Sequence, residues 1–182
     1  MISKTALCII LGLALMASNV QDYETAFHKG PVIPEFGNIA SVNSEVVIPK
    51  NSQLKVRFDV SAKAQEGEIN RTFDSAARFV NLHVDIGVPL ENISIAIVVH
   101  GGASVDVTRQ DFYKALHNGE VNANIFANET LVKNRTRFFL CGQSAAFNEI
   151  DNSDLLPSVI MALSAMTMHA LLGQQGYSLV PF

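Results

Sequence analysis

The stretch ISIAIVVHGG, residues 93–102, decides the fold. Ile93 to Val99 is a near-continuous apolar, β-branched run, the pattern of a strand buried on both faces of a parallel sheet. His100-Gly101-Gly102 then breaks it at what would be the strand's carboxyl end. Working towards the N-terminus, LKVRFDV (54–60) alternates. Leu54, Val56, Phe58 and Val60 fall on one side, and Lys55, Arg57 and Asp59 on the other. Between these strands, Ile69, Phe73, Ala76, Ala77, Val80 and Val84 recur at helical spacing behind Asn70, a suitable cap. Gly87 and Pro89 end that helix.

Towards the C-terminus, helices are expected at about 108–117 and 123–134. A third strand covers Arg137 to Cys141, followed by a loop or short helix from Gly142. Asp154 can cap a long helix from Leu155 to Leu172, stopped by Gly173 and Gly176. Tyr177 to Val180 suits a final strand. The Leu155–Leu172 run is apolar nearly all round, which predicts a helix buried against the sheet and another subunit. Strands alternating with helices give right-handed βαβ units. The fold class is therefore α/β, an open, mostly parallel sheet with helices on both faces. Ligands bind such sheets at the carboxyl ends of the strands.

The N-terminus reads as an address. Lys4 precedes the apolar run ALCIILGLALMA, and small and polar residues follow. This is the pattern of a signal peptide over residues 1–17, cleaved after Ala17 or Ser18. The expected compartment is the periplasm. Cys8 would leave with the leader, so Cys141 would remain as a single, internally unpaired cysteine. Residues 18–52 form an N-terminal arm punctuated by Gly30-Pro31, Pro34 and Gly37, and residues 53–182 the folded domain.

The 182 residues are 48% hydrophobic and 16% charged, enough apolar matter for one core. A net charge of −4 offers no surplus with which to bind a nucleic-acid backbone. After leader cleavage no membrane association is expected. His28, His83 and His117 lack partners at ligand spacing, so no metal or cofactor is expected. Met161, Met166 and Met168 read as filler on an apolar helix rather than as a copper site.

The candidate catalytic residues are Cys141 and His100, each ending a strand. In a parallel sheet both emerge at one edge. There an imidazole can act as base or lower the thiol pKa. Candidate ligand-binding residues are Gly101 and Gly102, whose amides could form an anion nest, and Gly142, Gln143 and Ser144 after the cysteine. Asn70 and Arg71, at a helix start, could help hold an anion. Asp59 could face the same crevice. A rival arrangement treats Ser144 as a nucleophile on an elbow. His169 would be its base and Asp151 or Asp154 its acid. Against it stand an Ala at the last elbow position and a short chain.

INRTFDSAARFVNLH, IAIVVHGGA, FFLCGQSAAF and LLPSVIMALSAMTMHALLGQQGYSLVPF together resemble the DsrE/DsrF-like proteins, in an exported branch with a CGQS motif. The resemblance runs from about Leu54 to Phe182. It implies a flavodoxin-like open sheet and homo-oligomers, commonly trimers or hexamers. It also implies sulfur relay through a cysteine persulfide. Cys141 would be the sulfur-accepting residue, served by a sulfur donor or acceptor protein or a small sulfur compound. The alternative is a non-catalytic oligomeric module that binds a small ligand or a protein, with Cys141 structural.

Overall fold

A computed structural model describes residues 26–181. The leader expectation at 1–17 and Cys8 lie outside the described residues. Two short strands, β1 (Phe27–His28) and β2 (Ile39–Ala40), pair antiparallel in the arm. The domain then runs β3 (Leu54–Val60), α1 (Arg71–Asp85), β4 (Ile93–Val99), α2 (Gln110–Leu116), α3 (Asn124–Lys133) and β5 (Thr136–Cys141). It continues with α4 (Gly142–Phe147), β6 (Val159–Ala162), α5 (Ala165–Gln174) and β7 (Ser178–Val180). A 3-10 turn follows β4 at Gly101–Val107.

β3 to β7 form one five-stranded sheet in the order β6-β5-β4-β3-β7, every neighbouring pair parallel. The alternation read in the sequence sorts the side chains. Val56, Phe58 and Val60, the odd-numbered residues Ile93 to Val99, and Phe138 and Leu140 enter the main core. That core is closed by α1 and α3, and Phe73 of α1 meets Phe138 edge to face at 5.2 Å. On the opposite face Ala96, Val98, Phe139 and Cys141 form a smaller cluster with Ala165 and Leu172 of α5. Helices therefore cover both faces, unequally.

The β3 and β4 spans and the α1 cap agree with the sequence, and Asn70 Oδ1 accepts the Thr72 amide at 2.9 Å. The expected helix over Leu155–Leu172 is not what forms. Asp154 instead belongs to a 3-10 turn at Asn152–Asp154, reciprocally capped with Asp151. Leu155 bridges to Thr108, and Val159–Ala162 is the edge strand β6. The chain breaks at Leu163, and Ser164 caps α5 by accepting the Thr167 amide at 3.0 Å. In β6, Val159 and Met161 pack inward while Ile160 is 54% exposed, a period of two inside a run too short and apolar to declare it. Among the described residues no helix is long and apolar enough to cross a membrane.

The arm is tied to the domain by Asn81, a buried amide on α1. Its Oδ1 accepts the amides of Val32 and Ile33 at 3.2 and 2.9 Å. Its Nδ2 donates to the carbonyls of Ile33 and Gly37 at 2.9 and 3.0 Å. Ile33 and Phe36 then join the main core.

Candidate functional site

Parallel strands carry their ends to one edge. Register pairs Asp59 with Val98 and Val99 with Leu140, so Asp59, His100 and Cys141 leave the sheet together. Asp59 and Cys141 also share the face covered by α5, because each is one step from a residue in the main core. His169 reaches them from α5. It lines, with Asp59, His100, Cys141, Gln143 and Met166, a cavity of about 310 Å³.

One carboxylate oxygen organises this cavity. Asp59 Oδ1 accepts hydrogen bonds from His100 Nε2 at 3.0 Å and His169 Nε2 at 2.7 Å. Burial pushes the Asp59 carboxyl up, but the bonds from His169 and His100 outweigh it and hold the pKa below the usual carboxylate value. Each imidazole therefore keeps a hydrogen on Nε2. The other ring nitrogen of His169, Nδ1, is buried without a partner.

Cys141 ends β5 at the start of α4, and it is 6% exposed. Burial pushes the thiol up. The amide and hydroxyl of Ser144 and the amides of Ala165 and Gln143 outweigh that and hold the pKa below the ordinary thiol value. The amides come from the first turns of α4 and α5, so two helix starts converge on one sulfur. Ser144 Oγ also accepts the Gly101 amide at 2.9 Å, which locks the turn after β4 to the cysteine. Gly101 takes φ +56°, a conformation that favours glycine. At Gly142 a Cβ would lie 2.6 Å from the Ala162 carbonyl, so only glycine lets β5 and β6 close here. Among the described residues no set of three His, Cys, Asp or Glu side chains is arranged to hold a metal ion.

The DsrE/DsrF-like family matches residues 55–182. The chain belongs to this family. Two solved structures share the DsrE/DsrF-like fold seen here. One is a protein of unknown function from Methanobacterium thermoautotrophicum, 20% identical with a TM-score of 0.52. The other is the YchN protein from E. coli, 15% identical with a TM-score of 0.52. Each alignment covers 71% of this chain and 99% of the other. No curated protein matches the chain.

Within this DsrE/DsrF-like domain the expected site residues divide among three places. Cys141, His100 and Gln143 meet in the cavity above. Gly101, Gly102 and Ser144 line an adjoining cavity of about 350 Å³ that shares Gln143 and adds Phe147. The Gly101 amide is not open to an anion, being committed to Ser144. Asn70 and Arg71 line a separate cavity of about 770 Å³ with Lys63. Asn70 is buried there, donating to the Ala62 carbonyl at 2.9 Å and to Asp106 Oδ2 at 2.7 Å. It is a cap and a loop anchor. Burial pushes the Asp106 carboxyl up despite the bonds from Asn70 and the Ala64 amide. The serine arrangement is not assembled, since His169 binds Asp59 and Ser144 receives an amide. His169 itself is the residue that the sequence reading left out of the cysteine site, because the mistaken long helix buried it.

Proposed function

We propose that this protein accepts a sulfane sulfur on Cys141 and carries it as a persulfide. The observation that carries this reading is the thiol's position. It sits at the floor of a cavity, held towards thiolate by four hydrogen bonds, beside an Asp59-bridged pair of imidazoles. Membership of the DsrE/DsrF-like family supports it. In the step, the Cys141 thiolate attacks the outer sulfur of a donor. A new S–S bond forms, the donor's S–S bond breaks, and the leaving group departs with the electron pair. No electrons are gained or lost overall.

Intact mass spectrometry of the folded protein after incubation with polysulfide tests the proposal, with Cys141→Ser beside it. The expected result is a mass gain of whole sulfur atoms in the wild type alone. No gain, with Cys141 inert to iodoacetamide until the protein is denatured, refutes it and leaves the alternative of a binding module with a structural cysteine. The 6% exposure of Cys141 is what favours that alternative.

Export to the periplasm in a CGQS-bearing branch and homo-oligomerisation belong to the same proposal. Export rests on residues 1–17. Self-association is supported by Leu163 and Met166, 73% and 80% exposed beside the single covering helix. N-terminal sequencing of periplasmic protein and sedimentation velocity test the two.

A further inference from the structure

The Cys141 cavity differs from its neighbours in charge. Among the described residues, no Lys or Arg lines it, whereas Lys63 and Arg71 both line the separate cavity at the start of α1. The other charged groups on the surrounding elements are turned to other work or placed at the far end. Lys55 and Arg137 stand near the N-terminal ends of β3 and β5, and Arg57 donates to the Tyr177 carbonyl. What the cavity holds is a carboxylate, two imidazoles and a thiol. A doubly charged anion such as thiosulfate would meet Asp59 with no fixed cation to offset the repulsion.

The two imidazoles are not equivalent. His169 donates from Nε2 to Asp59, and its Nδ1 is buried and unpartnered. It anchors the carboxylate. His100 shares the same Asp59 oxygen but keeps 30% of its side chain exposed. It is the ring that can exchange a proton with water and with a ligand in the cavity. The rim is apolar: Met166 lines the cavity while 80% exposed, and the carbonyl of the exposed Leu163 accepts from Gln143 Nε2 at 3.3 Å.

We infer that the site takes its sulfur from an alkyl persulfide, R–S–SH, rather than from thiosulfate or a thiosulfonate, with His100 delivering a proton to the leaving thiolate. This rests on the sulfur-acceptor reading of Cys141. The step balances. Cys141–S⁻, R–S–SH and protonated His100 give Cys141–S–SH, R–SH and neutral His100, which is then reprotonated from solvent. A thiosulfonate releases a weakly basic sulfinate that needs no proton, so an acid in the site gives it nothing.

The test compares loading rates from an alkyl persulfide generated in situ and from benzenethiosulfonate. Both rates are normalised to Cys141 alkylation by iodoacetamide, which follows thiolate content. In His100→Gln the ratio of persulfide rate to thiosulfonate rate should fall by at least about tenfold. Equal falls in both rates overturn the inference and make His100 structural. A second measurement needs no variant. Across alkyl persulfides of rising leaving-thiol basicity, the wild-type rate should fall less steeply than that of free cysteine, and equal slopes again overturn it. Loading from the thiosulfonate alone leaves the sulfur-acceptor reading intact and sinks this inference. Loading from neither donor sinks the parent reading.

Discussion

On one face of the sheet, Phe58, Phe73 and Phe138 belong to a core closed by α1 and α3 and extended by Ile33 and Phe36 of the arm. On the other, Ala96, Val98, Phe139 and Cys141 meet one ten-residue helix, and large apolar side chains such as Ile160 and Leu163 remain exposed beside it. The first face carries cohesion. The second has little packing to lose, and its polar groups, Asp59, His100, Cys141 and His169, answer to one another rather than to a core. A site can be held by hydrogen bonds where apolar layers would have left no room for it.

Phe138→Ala should give the largest stability effect. Phe138 is fully buried against Phe73. Its truncation should cost about 3–5 kcal/mol in urea unfolding, and a loss below about 1 kcal/mol would erase the distinction between the faces. Next comes Asn81→Ala, which orphans four backbone groups of the arm. It should cost about 1–3 kcal/mol and open the Ile33 amide to hydrogen exchange. The thin face responds differently. Ser144→Ala removes a hydroxyl that stabilises the Cys141 thiolate. The wild-type thiol is held low, so its alkylation should reach half-maximum below the pH of an ordinary cysteine. The variant's midpoint should move up by about one pH unit, and an unmoved midpoint would show that the helix amides alone hold the thiolate. The smallest effect is Ser164→Ala. Loss of this cap should cost about 1 kcal/mol, read by faster exchange in the first turn of α5 and not in α1.

The sheet was largely legible because β3 and β4 state their period plainly. LKVRFDV alternates, and even the placement of Asp59 opposite Val56, Phe58 and Val60 follows from counting by two. Cys141 and His100 were legible as strand ends in parallel register. The C-terminal third was not. From Leu155 to Leu172, apolar residues crowd both periods, and only Ser164, a cap hidden among Ala, Leu and Met, marks where strand gives way to helix. That misreading also displaced His169. Asn70 and Arg71 were placed wrongly for another reason. They stand at a helix start near the right sheet edge, but α1 packs on the thick face, so its first turn opens away from the cysteine. Edge and face are separate coordinates, and motif reading supplied only the first.

The bond between His169 and Asp59 spans 110 positions of chain. The amide of Ala165, one of the donors that lower the thiol's pKa, comes from the same late helix. During synthesis Cys141 emerges before α5 does. A growing chain thus presents an ordinary thiol, short of an activating donor and of the second imidazole. Activation arrives only when the last helix docks. The order of residues along the chain acts as a safety catch, keeping the sulfur chemistry silent until the domain is complete.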